Sequence, residues 1–141
     1  MGEIILKTND LTIDFKVKKN LFGKADRLSA VQNVNIEIRK GEIYGLVGES
    51  GCGKTTLANA ILGFVPITSG SFEFLGHTID AKTKQAEWKE VRKSMQTVFQ
   101  DPYSSLNSRF NVWQIISEPL YIAGERNEKV LREKAAELIE K

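Results

Sequence analysis

One octapeptide constrains this chain more than any other feature. Residues 48–55 are Gly-Glu-Ser-Gly-Cys-Gly-Lys-Thr, which satisfies the pattern G-x-x-x-x-G-K-[S/T] at every required position. The preceding residues 42–47 form an apolar run of strand length, and residues 56–62 place apolar side chains at helical spacing. Strand, loop and helix in this order are what a phosphate-binding loop requires, so the sequence predicts a nucleotide site.

The chemistry of the loop follows from its residue types. Its glycines permit tight turns that point successive N–H groups inward, and the following helix adds the positive end of its dipole. Lys54 is predicted to reach the β- and γ-phosphate oxygens, and the Thr55 hydroxyl to coordinate a bridging Mg²⁺. The predicted phosphate-binding residues are Gly48, Glu49, Ser50, Gly51, Cys52, Gly53, Lys54, Thr55 and Thr56. A plain strand-to-helix turn would explain the glycines but not the adjacent Lys-Thr.

Two other features of the loop limit the alternatives. The dinucleotide fingerprint G-x-G-x-x-G is absent, because Thr56 stands where the third glycine would follow Gly51 and Gly53. The chain has a single cysteine, Cys52, so it forms no internal disulfide, and this residue is expected to serve as a small side chain that fits the loop.

Composition narrows the class of partner. The 141 residues are 41% hydrophobic and 27% charged, which is enough for one modest core. A net charge of +2 is too small to favour nucleic acid as a partner, and the basic residues at 16, 18, 19, 24 and 27 are expected to form a solvated hairpin. The apolar runs are short and the N-terminus has no signal-peptide block, so we expect a chain that neither spans a membrane nor is exported.

Periodicity predicts alternating strands and helices around the loop. The predicted strands are 4–8, 11–17, 42–47, 70–76 and 95–99, with a further alternating apolar pattern over 31–38. The first predicted helix begins near Gly53 and has apolar spacing over 56–62; the others are 84–94, 112–123, interrupted by Pro119, and 128–141. His77, the only histidine, is expected in a turn. The fold class is therefore α/β: a P-loop core around a parallel strand that carries the loop, an N-terminal antiparallel β region and the start of a helical subdomain. The expected boundaries are 1–40, 41–100 and 101–141.

The order of these elements and several motifs resemble a known family. Residues 48–51 are Gly-Glu-Ser-Gly, residues 99–107 are Phe-Gln-Asp-Pro-Tyr-Ser-Ser-Leu-Asn, and residues 117–120 are Ser-Glu-Pro-Leu. With the N-terminal hairpin and the turn at 39–42, they resemble the ATP-binding subunit of an ABC transporter, and within it the oligopeptide and dipeptide importer branch. The resemblance covers essentially the whole chain.

The resemblance implies further roles. Gln100 would lie in the glutamine loop, contact the Mg²⁺ or the attacking water, and couple the nucleotide state to a membrane partner. Lys54 and Gln100 would thus be the catalytic residues of this chain, with Thr55 and Gln100 at the metal. Residues 101–120 would begin the helical subdomain that receives the permease, and Tyr103, Phe110 and Trp113 would belong either to that surface or to the core.

The chain departs from the family pattern in two ways. The expected adenine-stacking position falls near Arg27, and either Arg27, Phe22 or Phe15 could take the role, so the adenine contact stays unassigned. No Leu-Ser-Gly-Gly-Gln signature, no apolar strand ending in Asp-Glu and no switch histidine follow Gln100. The chain therefore resembles the front half of such a subunit, and we expect residues 1–141 alone to bind ATP weakly at best and to hydrolyse it negligibly.

For the complete subunit, the resemblance implies an ATPase that powers import of peptides or a related small solute. Its partners would be integral-membrane permease subunits, a second ATP-binding subunit and, indirectly, a solute-binding protein, with the subunit held peripherally at the cytoplasmic face of the membrane. Two alternatives stay open: a non-transport ABC ATPase of translation or DNA repair, and a small P-loop kinase. The second fits the long segment before the loop poorly.

Overall fold

The computed structural model describes residues 2–17, 26–101 and 106–141. The chain divides into two compact units, Met1–Gln96 and Thr97–Lys141. The first unit contains strands β1 (Ile4–Val17), β2 (Asp26–Val34), β3 (Glu37–Arg39), β4 (Ser69–Phe74) and β5 (His77–Asp80) and helices α1 (Lys54–Ile61) and α2 (Gln85–Lys93). The second contains helices α3 (Val112–Ala123) and α4 (Glu128–Ile139).

Strand β1 is the centre of an antiparallel sheet. It pairs with β4 along one side, and along the other with β3 in its first half and β2 in its second, while β5 extends the sheet beyond β4. The sequence predicted two strands here, and the structure shows one. The buried positions change parity, from 6 and 8 to 11 and 13, because Asp10 adopts a left-handed backbone (φ 46°) that absorbs one residue.

The β1–β2 hairpin confirms the N-terminal antiparallel region. Lys16 lies opposite Arg27 in the ladder, while residues 18, 19 and 24 of the predicted basic cluster lie outside the described residues. The apolar pattern predicted over 31–38 is divided between β2, which ends at Val34, and β3.

The core of the first unit lies between one face of this sheet and helices α1 and α2. Its buried apolar side chains are Leu11, Ile13, Val31, Leu57, Ala60, Ile67, Phe72, Ile79 and Val91. Phe72 is fully buried and meets the half-buried Trp88 of α2 edge-to-face, with ring centroids 5.8 Å apart. The predicted helix at 84–94 is confirmed as α2, whose apolar face closes this core.

The strand predicted at 42–47 is wrong in this structure. Residues 42–49 form no strand, and the side chains of Ile43 and Val47 are 99% and 95% exposed. A parallel strand that carries such a loop is normally buried on both faces, between two neighbouring strands. No strand of the described chain lies beside this run, so hydrophobicity alone does not order it. The strand predicted at 95–99 is wrong for the same reason, and Val98 is 94% exposed.

The turn predicted at His77 is also misplaced. His77 opens β5, with its Cα opposite that of Phe74, and the turn consists of Leu75 (φ 47°) and Gly76 (φ 83°). Two positive φ values in a two-residue loop match the twist of the flanking strands. Leucine rarely adopts this conformation, which is why the sequence did not indicate a hairpin there.

The two helices of the second unit have defined ends. Asn111 caps α3: its backbone N–H bonds the Gln114 carboxamide at 2.8 Å in a reciprocal capping box. Gly124 (φ 116°) follows its last residue. The predicted interruption at Pro119 does not occur, since a proline removes a single helical N–H and the helix continues around it. Helix α4 begins after Asn127, and its Arg132 stacks over the Trp113 ring at 4.4 Å. No helix in the described residues is long and apolar enough to cross a membrane.

Candidate phosphate-binding site

The loop that carries the motif leads directly into helix α1. The helix begins at Lys54 with Gly53 as its N-cap, which confirms the start predicted near Gly53. The Gly53 carbonyl accepts the first helical bond from Leu57 N at 2.8 Å. Within the described chain no side chain caps this end, and its first turn holds no acidic residue. The leading N–H groups of α1 are therefore available to an anion, and the helix dipole favours one there.

Lys54 is held by the loop that it follows. Its Nζ donates to the carbonyls of Gly48 and Glu49, both at 2.6 Å, and lies 3.5 Å from the Cys52 sulfur. Cys52 N in turn donates to the Glu49 carbonyl at 3.4 Å. The side chain thus folds back across the loop, and an ammonium has three donors with which to bridge the loop and a phosphate oxygen.

Two positions of the motif must be glycine because a side chain there would clash with neighbouring atoms. A Cβ at Gly48 would lie 2.7 Å from the Cys52 sulfur, and a Cβ at Gly53 would lie 2.2 Å from the Ala30 carbonyl oxygen. Gly53 also has φ 96°, a conformation that side chains disfavour. The loop can close this tightly only because both positions lack a side chain.

The other predicted residues lie on the same loop and first turn. Glu49, Ser50, Gly51 and Cys52 are exposed, and Thr56 is half-buried in α1. Thr55 is exposed in the first turn of α1, and its hydroxyl forms no hydrogen bond with the described chain. A hydroxyl oxygen free at a phosphate site suits Mg²⁺, which keeps several waters and takes few protein ligands. Across the described residues there is no cluster of three or more His, Cys, Asp or Glu side chains that could hold a metal by itself.

Gln100 belongs to the second unit, where it is exposed in a bend. The structure therefore brings residues 48–56 together in the first unit, and a role of Gln100 at the same site stays a prediction. Sequence reasoning also missed two residues that touch the loop. Ala30 and Val31 of β2 both lie against Gly53, and no periodicity or motif in the sequence indicated that contact.

A glycine-rich loop that binds its own lysine and opens a helix defines a P-loop protein. The family described as ABC transporter matches residues 31–141, and the chain belongs to that family. It is 44% identical over 137 residues to the oligopeptide transport ATP-binding protein OppF of Haemophilus influenzae, and 40% identical over 134 residues to the oligopeptide transport ATP-binding protein AppF of Bacillus subtilis. Each comparison covers 91% of this chain and 41% of the relative, so the chain spans less than half the length of these curated relatives.

Solved structures confirm the predicted fold class. The dimeric ATP-binding cassette MJ0796, bound to ADP and Pi, superposes with a TM-score of 0.75 at 24% identity, over 94% of this chain and 55% of that one. The cbiO1 protein of Clostridium perfringens, part of the ABC transporter complex cbiONQ, gives a TM-score of 0.69 at 28% identity, over 94% of this chain and 47% of that one. The antiparallel β region and the loop-to-helix step thus occur in the fold of ABC ATPase cassettes.

Proposed function

We propose that this chain supplies the phosphate cradle of an ATP-hydrolysing subunit that powers ABC-type import of peptides or a related small solute. The observation that carries the proposal is the bond of Lys54 to the carbonyls of Gly48 and Glu49 at the uncapped start of α1. The names of the relatives, which are oligopeptide transport ATP-binding proteins, support peptide as the solute.

Each residue of the loop has a distinct role in this proposal. The N–H groups of the loop and of the first turn of α1 bind the phosphate oxygens, and Lys54 adds a positive charge where negative charge accumulates during phosphoryl transfer. Thr55 and Gln100 would hold Mg²⁺, which when bound neutralises charge on the phosphates. Gln100, a neutral amide in a bend, would also report the nucleotide state to the membrane partner.

The proposed partners follow from the transport role. They are integral-membrane permease subunits, a second ATP-binding subunit and, indirectly, a solute-binding protein, with the subunit peripheral at the cytoplasmic face of the membrane and no nucleic-acid partner. We retain 1–40, 41–100 and 101–141 as functional regions. In the last of these, a cleft of about 510 Å³ between α3 and α4, lined by Phe110, Trp113 and Tyr121 among others, supports a docking role for its aromatic residues. Tyr103 lies outside the described residues.

Three residues remain candidates to stack on the adenine base. Phe15 is 39% exposed on β1, opposite Leu28, and Arg27, one residue before Leu28 on β2, is also exposed. Both present flat groups on which a base can stack. Phe22, the third candidate, lies outside the described residues. The family match favours neither a metabolite kinase nor a nucleic-acid-associated ATPase.

The test is ATP binding with Mg²⁺ by calorimetry on residues 1–141 and on the full-length subunit. Lys54→Ala removes the charge and both loop bonds, so we expect a loss of affinity of about 100-fold, from two charge-assisted hydrogen bonds of about 1.5 kcal/mol each. Lys40→Ala, at an exposed lysine outside the loop, is the matched control and should leave binding unchanged. Hydrolysis is expected only from the full-length subunit. Wild-type binding that Lys54→Ala leaves intact would overturn the proposal.

A further inference from the structure

Strand β2 contains a β-bulge at Ala30, next to the phosphate loop. Ile13 of β1 pairs with Val31, and the next residue, Asp14, pairs with Ser29, so Ala30 is an extra residue without a partner across the ladder. Such a bulge bends its strand and changes the direction of the groups at the extra residue, and bulges are frequent beside functional sites.

The backbone carbonyl of the extra residue, Ala30, faces the phosphate loop. The Ala30 carbonyl oxygen is the atom that a Cβ at Gly53 would approach to 2.2 Å, and Val31 Cγ2 would lie 3.3 Å from the same position. The hydrogen that Gly53 carries in place of a side chain therefore points at the Ala30 carbonyl. Val31 and Leu57 are both buried in the core of the first unit, at 6% and 3% exposure, so the contact extends into α1.

We propose that the bulge at Ala30 is a positioning element for the phosphates of the nucleotide. Gly53 is the N-cap of α1, and its backbone direction sets where the N–H groups of Lys54 and Thr55 point. A regular β2 would withdraw the carbonyl and leave Gly53 free to adopt other backbone angles, which are many for glycine. The bulge restricts the backbone angles of Gly53 and so fixes the direction of the N–H groups in the first turn of α1. This inference rests on the proposed nucleotide site and assigns that site a support outside the motif.

Deletion of Ala30 tests the proposal directly. The pairs Ile13–Val31 and Asp14–Ser29 are adjacent on β1, so removing Ala30 makes them adjacent on β2 as well and preserves both flanks of the ladder. We expect ATP affinity to fall about tenfold, the equivalent of one charge-assisted hydrogen bond. Hydrogen exchange at the Leu57 amide, which bonds the Gly53 carbonyl, should accelerate, while the amides of β1 keep their protection.

Deletion of Gln32 is the matched control. A second irregularity lies between the pairs Leu11–Val34 and Ile13–Val31, where two residues of β2 face Thr12 alone. Removing the exposed Gln32 regularises the same strand without touching Gly53. Affinity and Leu57 exchange should stay at wild-type values in this variant.

Val31→Ala provides a second variant in case deletion of Ala30 prevents folding. It keeps the bulge but removes both γ-methyl groups, including the Cγ2 that lies nearest Gly53, so a smaller loss of affinity with faster Leu57 exchange is expected. Ile79→Val, a core change in β5, should affect neither. Wild-type affinity and wild-type Leu57 exchange in the folded Ala30 deletion would overturn the positioning role. If the deletion does not fold, the same result in Val31→Ala would overturn the confinement of Gly53 by β2 on which that role depends. Failure of the full-length wild-type subunit to bind ATP would overturn the proposed function instead, and the exchange data would still decide the role of the bulge.

Discussion

The phosphate loop and the apolar run immediately before it are adjacent in sequence but differ in how they are ordered. The loop is held by contacts close in sequence, with Lys54 bonded to Gly48 and Glu49, which are six and five residues away. The run at 42–47 has the composition of a buried strand, yet Ile43 and Val47 are almost fully exposed. The difference shows that contacts close in sequence order much of the loop, whereas a parallel strand requires neighbours that are distant in sequence.

The largest effect should come from Gly53→Ala, which tests whether the loop depends on one long-range contact as well. The added Cβ would lie 2.2 Å from a backbone oxygen of β2, at φ 96°. Left-handed strain and overpacking together predict a loss of about 3 kcal/mol in the free energy of unfolding. Urea denaturation followed by circular dichroism measures it.

Gly51→Ala is the control for this change. Gly51 also has a positive φ, of 83°, but an added Cβ there would meet nothing within 4 Å. Only backbone strain remains, so the expected loss is about 1 kcal/mol. Equal losses in the two variants would show that the contact with Ala30 contributes nothing.

A smaller effect is expected from Gly48→Ala, because its added Cβ would lie 2.7 Å from the sulfur of Cys52, a side chain that can move. We expect a loss of about 1 kcal/mol from overpacking. The double variant with Cys52→Ala should recover most of it, since the sulfur is then absent, and a double-mutant cycle on urea denaturation measures the coupling. Additive losses would contradict the contact.

The exposed run should tolerate charge. Val47→Lys and Ile43→Lys place a lysine where the side chain already faces water, so each should change the free energy of unfolding by less than about 0.5 kcal/mol. Ile79→Ala, a truncation of a fully buried side chain in β5, should lose about 3 kcal/mol and serves as the reference. A loss of that size from Val47→Lys would mean that the run is a buried strand after all.

The same contrast between local and distant contacts explains what the sequence could predict. Helices α2, α3 and α4 were predicted nearly to their ends, because periodicity and caps such as Asn111 and Asn127 act within a few residues. The loop residues were predicted from one motif. The β5 hairpin was missed because Leu75 takes a conformation rare for leucine, and the strand at 42–47 was predicted wrongly because hydrophobicity does not specify a partner.

Residues Ala30 and Val31 show a further limit of sequence reasoning. Their contact with Gly53 depends on an irregular register between β1 and β2, and a bulge leaves no trace in a pattern of alternating residues. The part of the site that lies within the motif could be predicted, and its support from the sheet could not.

The smallest predicted effect concerns β3, the last paired strand before the exposed run. Lys7 Nζ of β1 lies 2.8 Å from Glu37 Oε1 of β3. The hydrogen bond between them, and next their mutual charge, lower the pKa of Glu37 and raise the pKa of Lys7. The Glu37 contribution to stability is full above its ordinary pKa and disappears as pH falls through the lowered value. The Lys7 contribution is full below its ordinary pKa and disappears as pH rises through the raised value.

Lys7→Met should therefore lower the urea midpoint slightly at neutral pH, and the difference from wild type should vanish in strong acid, where Glu37 is protonated in both proteins. Lys40→Met is the control, because Lys40 lies 3.8 Å from Glu3 in a looser and more exposed pair. Strand β3 ends only a few residues before the exposed run at 42–47. Amide exchange at residues 37–39 in Lys7→Met therefore also shows whether the ion pair keeps this end of the sheet ordered. Unchanged exchange there would mean that the backbone pairing of β3 with β1, without the ion pair, sets that boundary.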